Sequence, residues 1–577
     1  MLAAIFVASL VWVALRGVAA KGELSATIPI AHEVELDLQN GNAKAAELGI
    51  QQIGEHASAA TSLTSDPIWR TLEFVPVIGQ NLRALGDISA TMNGLAVQAK
   101  QPFTDLASKF SVSGLLPTAG KINANELIAA RPDINAANNV IQAASRRANL
   151  IDTTFTIPPV DAGVKQFRTV LGTTASAMDA VRRASLILPD MVGESGPRSY
   201  LLIFQNNAEL RASGGIPGSL ALVAANKGSM HLKQQPAATD FPEEKKPVVS
   251  LPATETALYS DRLGTFMQDV TLTPNFPTTA KIASAFWKQK YHQDLDGVVS
   301  FDPVGLSYIL RATGPLTLPN GDKLTSQNAV QKLLSGVYAK YKDPQAQDAY
   351  FRTVASTVFG ALTDGRYSPS ALLDAFTEAS QEHRVLIWSA KPSEESVISG
   401  TSLNGILPKD NAAQTRIGVY LNDDTGAKMD YYLRTAISQA QRVCYANGAG
   451  VYRETVTLSS IAPKDAATAL PGYVTGGGLF GVDPGLVKTR VVIYGPSDAS
   501  AVGVTSAGVS LKASSGVDGT RPVVYFNVLL KPGASQTVTI DFRGKHPIAR
   551  TLSTVQTPQV VNAKIRTGTV SCTAGTK

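Results

Sequence analysis

The sequence predicts a multidomain α+β protein: an N-terminal membrane helix and helical stalk, a central α/β domain with a mixed sheet, and a C-terminal β-sandwich. Three observations lead there. The chain has 577 residues, which at roughly 150 residues per domain makes about three or four structural units. Its hydrophobic periodicity changes character near residue 186, from helical spacing to mixed strands and helices, and again after residue 430, to short alternating strands. Hydrophobic residues make up 44 % and charged residues 17 %, so the charge-rich composition of disordered chains is absent.

Residues 1–15 (MLAAIFVASLVWVAL) carry no charged side chain and read as a membrane-directed segment, giving a transmembrane anchor or signal over 1–20. A helix of 15 residues spans about 22 Å, short of the ~30 Å hydrocarbon core, although 17–20 extend it if Arg16 snorkels. Val18-Ala19-Ala20 also fits a cleaved secretory signal, without its basic leader, and a buried helix is a third reading. Arg16 and Lys21 lie on the wrong flank for an exported body. A basic leader ahead of Met1 reconciles them with a single-pass protein of the cell membrane whose body is extracytoplasmic.

From 21 to 185 the apolar positions Leu36, Ala43, Ala46, Leu48, Ile50 and Ile53 are spaced for long helices, and Pro67, Pro76 and Pro102 divide them into a stalk or bundle. Ser65-Asp66-Pro67 is a helix start, an acceptor followed by proline in the first turn. Further helices cover 124–148 and 161–185. In the central domain, 186–430, strands are expected at 199–204, 219–224, 298–301, 384–388 and 418–421. Asp302 caps a helix through Leu310, Pro319-Asn320-Gly321-Asp322 turns a hairpin, and helices follow at 326–341, 345–362 and 368–381. In 431–577, strands at 454–458, 489–494, 523–530 and 537–542, with turns between them, predict the sandwich.

Charge is uneven along the chain. Residues 21–121 hold 7 Lys/Arg against 10 Asp/Glu, whereas 431–577 hold 15 against 6. No basic stripe with interleaved aromatics and no nucleic-acid-reading motif is found, so no nucleic-acid partner is expected. The basic surplus is either a solvated face or an attraction for anionic envelope polymers or lipid headgroups. Cys444 and Cys572 lie near the two ends of the β domain and are candidates for a disulfide in an oxidising compartment, or for two isolated buried thiols. No Cys/His spacing supports a zinc site, and no metal ligands are proposed.

Nucleophile-elbow, phosphate-loop and HExxH motifs are absent. The run from Gly476 to Gly481 fits GxGxxG by letter, but Val482-Asp483-Pro484-Gly485 follows as a turn where a dinucleotide site needs a helix, so a glycine-rich loop is expected. The most unusual constellation is Gln205-Asn206-Asn207-Ala208-Glu209-Leu210-Arg211-Ala212-Ser213-Gly214-Gly215, placed directly after the strand ending at Phe204. As a ligand loop, it would use Arg211 as a bidentate clamp on an anion, with Gly214 and Gly215 letting backbone N–H groups approach. As a structural junction, Asn206 and Asn207 would cap turns and Glu209 would pair with Arg211.

The run YLLIFQNNAELRASGGIPGSLALV (200–223) resembles the hallmark of the bacterial envelope family known as domain of unknown function 4012. Further similar stretches are DGVVSFDPVGLSYILRATGPL (296–316), LPNGDKLTSQNAVQKLL (318–334), HRVLIWSA (383–390) and NDDTGAKMDYYL (422–433). The resemblance implies an N-terminal membrane segment, a helical stalk and an extracytoplasmic body, as in Gram-positive actinobacteria, and no known activity. The order of elements is also similar to the LytR-CpsA-Psr phosphotransferases, whose Arg/Asp active-site signatures are not found here.

The expected function is that of a membrane-anchored cell-envelope protein that binds or organises an anionic polymer. The candidate ligand residues are Asn206, Asn207, Glu209, Arg211, Gly214, Gly215, Asp261 and Asp269. The alternative is a phosphotransferase-like enzyme attaching glycopolymers to the cell wall from a polyprenyl-pyrophosphate carrier. There Arg211 would stabilise phosphate, and Asp261, Asp269, Asp296 or Asp302 would hold Mg²⁺. The expected partners are the membrane and a cell-wall polymer or lipid-linked glycan. Asp261 or Asp269 reaching Arg211 in a pocket would favour the enzyme, and a buried Glu209–Arg211 pair would favour a scaffold.

Overall fold

The structure, a computed structural model, describes residues 2–39, 42–110, 112–407, 409–411, 414–548 and 551–572. Met1 of the expected anchor and 573–577 of the expected sandwich lie outside them. The chain is α+β and forms two compact units, Met1–Gly196 with Asn226–Ser229, and Pro197–Ala225 with Met230–Lys577.

The first unit is helical. Its helices are α1 (Leu2–Gln39), α2 (Ala43–Leu63), α3 (Pro67–Leu72), α4 (Ile78–Lys109), α5 (Asn125–Leu150) and α6 (Pro158–Met191). Asp66 caps α3, its carboxylate accepting the N–H groups of Ile68 and Trp69 at 2.9 and 3.1 Å, with Pro67 in the first turn as the sequence predicts. Trp69, fully buried, packs with Val13, Leu72 and Leu82. Pro102 does not break the stalk where the sequence reading placed a break: α4 runs through it. Buried Ala96, Ala99, Leu106 and Ala107 line this stretch of α4, and such packing offsets the missing backbone bond.

The apolar N-terminal run is the start of α1, a helix of 38 residues in all that continues past Arg16, Lys21 and Glu23 to Gln39. Among the described residues no helix is long and apolar enough to cross a membrane. Arg16 faces its bundle neighbours, pairing with Asp66 at 2.8 Å and donating to the Leu63 carbonyl at 2.9 Å. Phe6, Val7, Val11, Leu15 and Val18 are exposed, a stripe at helical spacing.

The second unit opens with a long antiparallel hairpin, β1 (Arg198–Arg211) and β2 (Gly214–Asn226), followed by β3 (Ser229–Gln234). Short helices α7 (Ala253–Tyr259) and α8 (Arg262–Thr265) lead to α9 (Phe276–Tyr291) and β4 (Gly297–Phe301), which pairs parallel to β1. Then come α10 (Pro303–Thr313) and the small hairpin β5 (Leu316–Thr317) and β6 (Lys323–Leu324). Helices α11 (Ala329–Gln331) and α12 (Val337–Lys340) are joined by a π turn at Lys332–Gly336. Helices α13 (Pro344–Thr363) and α14 (Pro369–Gln381), strand β7 (Val385–Ser389) and α15 (Pro392–Ile398) complete this part. The sheet order is β3-β2-β1-β4-β7. Leu201 and Ile203 of β1 face a core with Phe276 and Trp287, and alternation turns Leu202 and Phe204 to the opposite face.

Two further sheets form the sandwich. One has the order β14-β15-β11-β8-β17 and the other β13-β12-β16-β10-β9-β18. Their strands are β8 (Thr415–Asp423), β9 (Leu433–Val443), β10 (Ala449–Ser460), β11 (Val487–Tyr494), β12 (Ser500–Ser506), β13 (Val509–Ser510), β14 (Ser514–Asp518), β15 (Arg521–Leu530), β16 (Ser535–Pro547), β17 (Leu552–Gln556) and β18 (Ile565–Thr567). Short helices α16 (Ala466–Ala469) and α17 (Gly472–Thr475) precede the glycine-rich run, which opens with a 3₁₀ turn at Gly476–Gly478, kinked at Gly477, before an irregular stretch.

Strand β8, which the sequence reading put in the central domain, pairs with β11 and β17 and is a sandwich strand. No separate core begins at 431. Leu306 and Leu310 of α10 share one cluster with Ile417, Val456 and Phe542 of the sandwich, and Tyr420, Val492 and Val523 join the core beneath β1. Cys444 and Cys572 are disulfide-bonded.

Candidate functional site

The polar motif is not a loop. β1 runs through it to Arg211, and β2 begins at Gly214, with register shifts at Phe204/Gln205 and Asn206/Leu210. The motif is therefore the tip of a hairpin, and every residue from 205 to 215 is buried. A strand tip this polar needs partners, and they come from distant segments.

Arg211 Nη2 lies 3.2 Å from Glu209 Oε1 and 3.1 Å from Asp269 Oδ1, and its Nη1 donates to the Leu210 carbonyl at 3.0 Å. Arg262 Nε reaches the other Asp269 oxygen at 3.1 Å, and Lys428 pairs with Glu209. The sandwich side supplies more. Asp430 accepts the Leu210 N–H at 2.8 Å, Asn422 accepts the Ala212 N–H at 2.9 Å, and Thr557 donates to the Ala212 carbonyl at 2.9 Å.

Two residues back, Asn207 donates to Asp302 Oδ2 at 2.9 Å and to the Pro558 carbonyl at 3.1 Å, and Asn206 donates to the Tyr338 hydroxyl. Asp302 caps α10 as predicted, accepting the Gly305 N–H at 2.7 Å, and also pairs with buried Arg384 at 2.9 Å.

The sequence-predicted residues thus divide. Glu209, Arg211 and Asp269 converge, as a buried ionic cluster. Asn206 and Asn207 point instead to Tyr338 and Asp302. The Gly215 N–H is taken by Gln205 Oε1 at 2.7 Å. Asp261 is exposed ahead of α8, and its neighbour Arg262 makes the contact with Asp269. Asp296 pairs with Arg198 at 2.7 Å and accepts the Ser199 N–H at 2.8 Å. Lys428, Asp430, Asn422, Arg384 and Thr557 were not singled out from the sequence. All but Thr557 lie in stretches that the sequence reading found similar to the domain of unknown function 4012 family, and that reading was the available signal.

The electrostatics follow from burial. Desolvation pushes the Glu209 carboxyl up, but Lys428 and Arg211 together outweigh it and hold it below the ordinary range. Desolvation followed by repulsion from Glu209 raises Asp423 to about 6, against the pull of Arg211. Asp430 is raised well above the ordinary value by burial first and Asp423 second, against the Leu210 N–H it accepts. Four buried atoms of this junction, Asn207 Oδ1, Arg211 Nε, Asn422 Nδ2 and Asp430 Oδ1, have no hydrogen-bond partner among the described residues. Ordered water commonly serves such atoms.

Among the described residues no group of three or more His, Cys, Asp or Glu is arranged to hold a metal ion. The Asp269 and Asp302 carboxylates each face a guanidinium, so they fit Mg²⁺ poorly, and no step is derived through it.

The model of the family described as protein of unknown function (DUF4012) matches residues 195–338. That match covers β1 to α12 and includes the hairpin tip, Asp269, Asp302 and Tyr338. No curated protein matches the chain.

Proposed function

We propose that this chain is an extracytoplasmic cell-envelope protein that binds an anionic envelope polymer without catalysing a reaction, and that the hairpin motif is the internal brace of its second unit. The carrying observation is a basic region on the outer face of the β9–β10–β16 sheet. Exposed Arg442 and half-buried Arg543, which stacks on Tyr445, both pair across buried Val451, on the face opposite Tyr452 and Phe542, which point into the core. Exposed Lys545 follows two residues on, and exposed Arg566 lies on the neighbouring edge strand. The acidic group of β16, Asp541, is taken by Arg453 at 2.7 and 2.8 Å. The disulfide supports an oxidising compartment. Attachment to a membrane surface would use the exposed stripe of α1, which lies in a stretch with few charges.

The enzyme reading loses its main support. Arg211 is buried between two carboxylates, whereas a phosphate clamp needs its donors aimed at substrate. The test is retention of the full chain on poly(glycerol phosphate). Binding weakens with salt, and Arg442→Gln with Lys545→Gln lowers affinity by about tenfold. Equal binding by the double variant would contradict this assignment of the face.

A further inference from the structure

The second unit contains a cavity that the polymer reading does not use. It encloses about 140 Å³ on the far side of β1 from the Phe276 core, and its walls include Leu202, Phe204, Leu306, Leu334, Val354 and Val358. Protein interiors pack to few voids larger than a water molecule, and an apolar cavity of about 150 Å³ stays dry and accepts a benzene ring. The wall includes Leu333 and Leu334 from the π turn at Lys332–Gly336. Such π insertions are frequent at functional sites.

The side chains of Gln205, Asn206 and Asp302 on the rim are committed to the protein. Gln205 donates to Ser300 Oγ at 2.9 Å and accepts the Gly215 N–H at 2.7 Å. Asn206 is held by Tyr338 and by the Ala208 N–H, and Asp302 by Arg384, Asn207 and Gly305. Among the described residues no lysine or arginine lines the cavity, so a buried anionic head group would find no counter-charge there, while Asp302 is already neutralised. Leu202, Phe204 and Phe359 are only partly buried, and Gly218 at the rim is exposed, which leaves a way in.

We infer that this cavity binds an uncharged hydrocarbon chain, taking a short segment of it and leaving any polar head outside. The site is independent of the basic sandwich face. Hydrocarbon could arrive as the tail of a lipid or as a free alcohol or alkane, and the chemistry recognised is the same.

The test is titration of the full chain with N-phenyl-1-naphthylamine, a neutral apolar fluorophore, followed by displacement. Saturable enhancement is expected, with decanol displacing the probe and decanoate or decylammonium displacing it no better. Short-chain phosphatidylcholine tests the lipid source: displacement assigns the site to a lipid tail, and its failure beside decanol displacement assigns it to a free chain. Val354→Phe fills the space and should weaken probe binding by about tenfold or more while leaving the thermal midpoint equal or higher. Ala355→Phe, at a partly exposed wall position, serves if Val354→Phe does not fold. Absence of saturable enhancement, preference for a charged chain, or unchanged binding in a folded filled variant would overturn the inference.

Discussion

Glu454 is buried in the β10 strand, where Oε1 accepts from Thr554 at 2.8 Å and Oε2 has no hydrogen-bond partner among the described residues. Burial pushes its carboxyl up to about 8 from an ordinary 4.5, with Thr554 opposing only in part. Between those values the folded chain keeps a proton that the unfolded chain has lost, so stability falls as pH rises through this window and stays low above it. Glu454→Gln, which mimics the neutral acid, should match wild type at pH 4 and exceed it at pH 9. The difference is on the order of 4 kcal/mol by urea unfolding at the two pH values. At this scale some roles were legible and others were not. Asp302 before Pro303 reads as a cap because capping is local. Asp269 meets Arg211 across 58 residues, a pairing that spacing does not encode.

At the scale of elements, the hairpin β1–β2 is the least expected feature and the one that builds the site. Its apolar start at 199–204 reads as a strand, but the polar run beyond Phe204 reads as a loop, because its partners lie some 200 residues further along at Asn422, Lys428 and Asp430. The tip turns tightly at Gly214, whose φ of +143° favours glycine. Gly215 is restricted by space: a Cβ there would lie 2.3 Å from the Asn206 carbonyl carbon and 2.4 Å from its oxygen. Gly215→Ala should therefore destabilise the second unit by at least ~1–3 kcal/mol in chemical denaturation, through backbone displacement. Helix α4 gives the converse lesson. Pro102 is a sound local break signal that tertiary packing overrides.

For the whole molecule, the α+β class, the helical first part and the late sandwich were all visible in the changes of periodicity. The boundary at 430 was not, since β8 carries the same apolar alternation as the central strands and only its pairing with β11 and β17 assigns it to the sandwich. The stretches that the sequence reading found similar to the DUF4012 family are scattered from 200 to 433, with the family model matching 195–338, and four of them meet at one place. The hairpin tip, Asp302, Arg384 and the 422–430 turn hold one another through ion pairs and backbone bonds. Within the second unit this junction ties the α/β sheet to the sandwich, and the two share their cores. Arg211 is its central cation. Removing it leaves Glu209 with Lys428 alone and Asp269 with an exposed arginine, and breaking a buried pair typically costs ~3–5 kcal/mol.

The most direct test compares wild type with Arg211→Met in two readouts on the same sample, calorimetric unfolding and retention on poly(glycerol phosphate). The transition of the second unit should move down by several degrees while the folded variant binds the polymer as wild type does. An unchanged transition with polymer binding lost would contradict this, and would make the hairpin tip the ligand site.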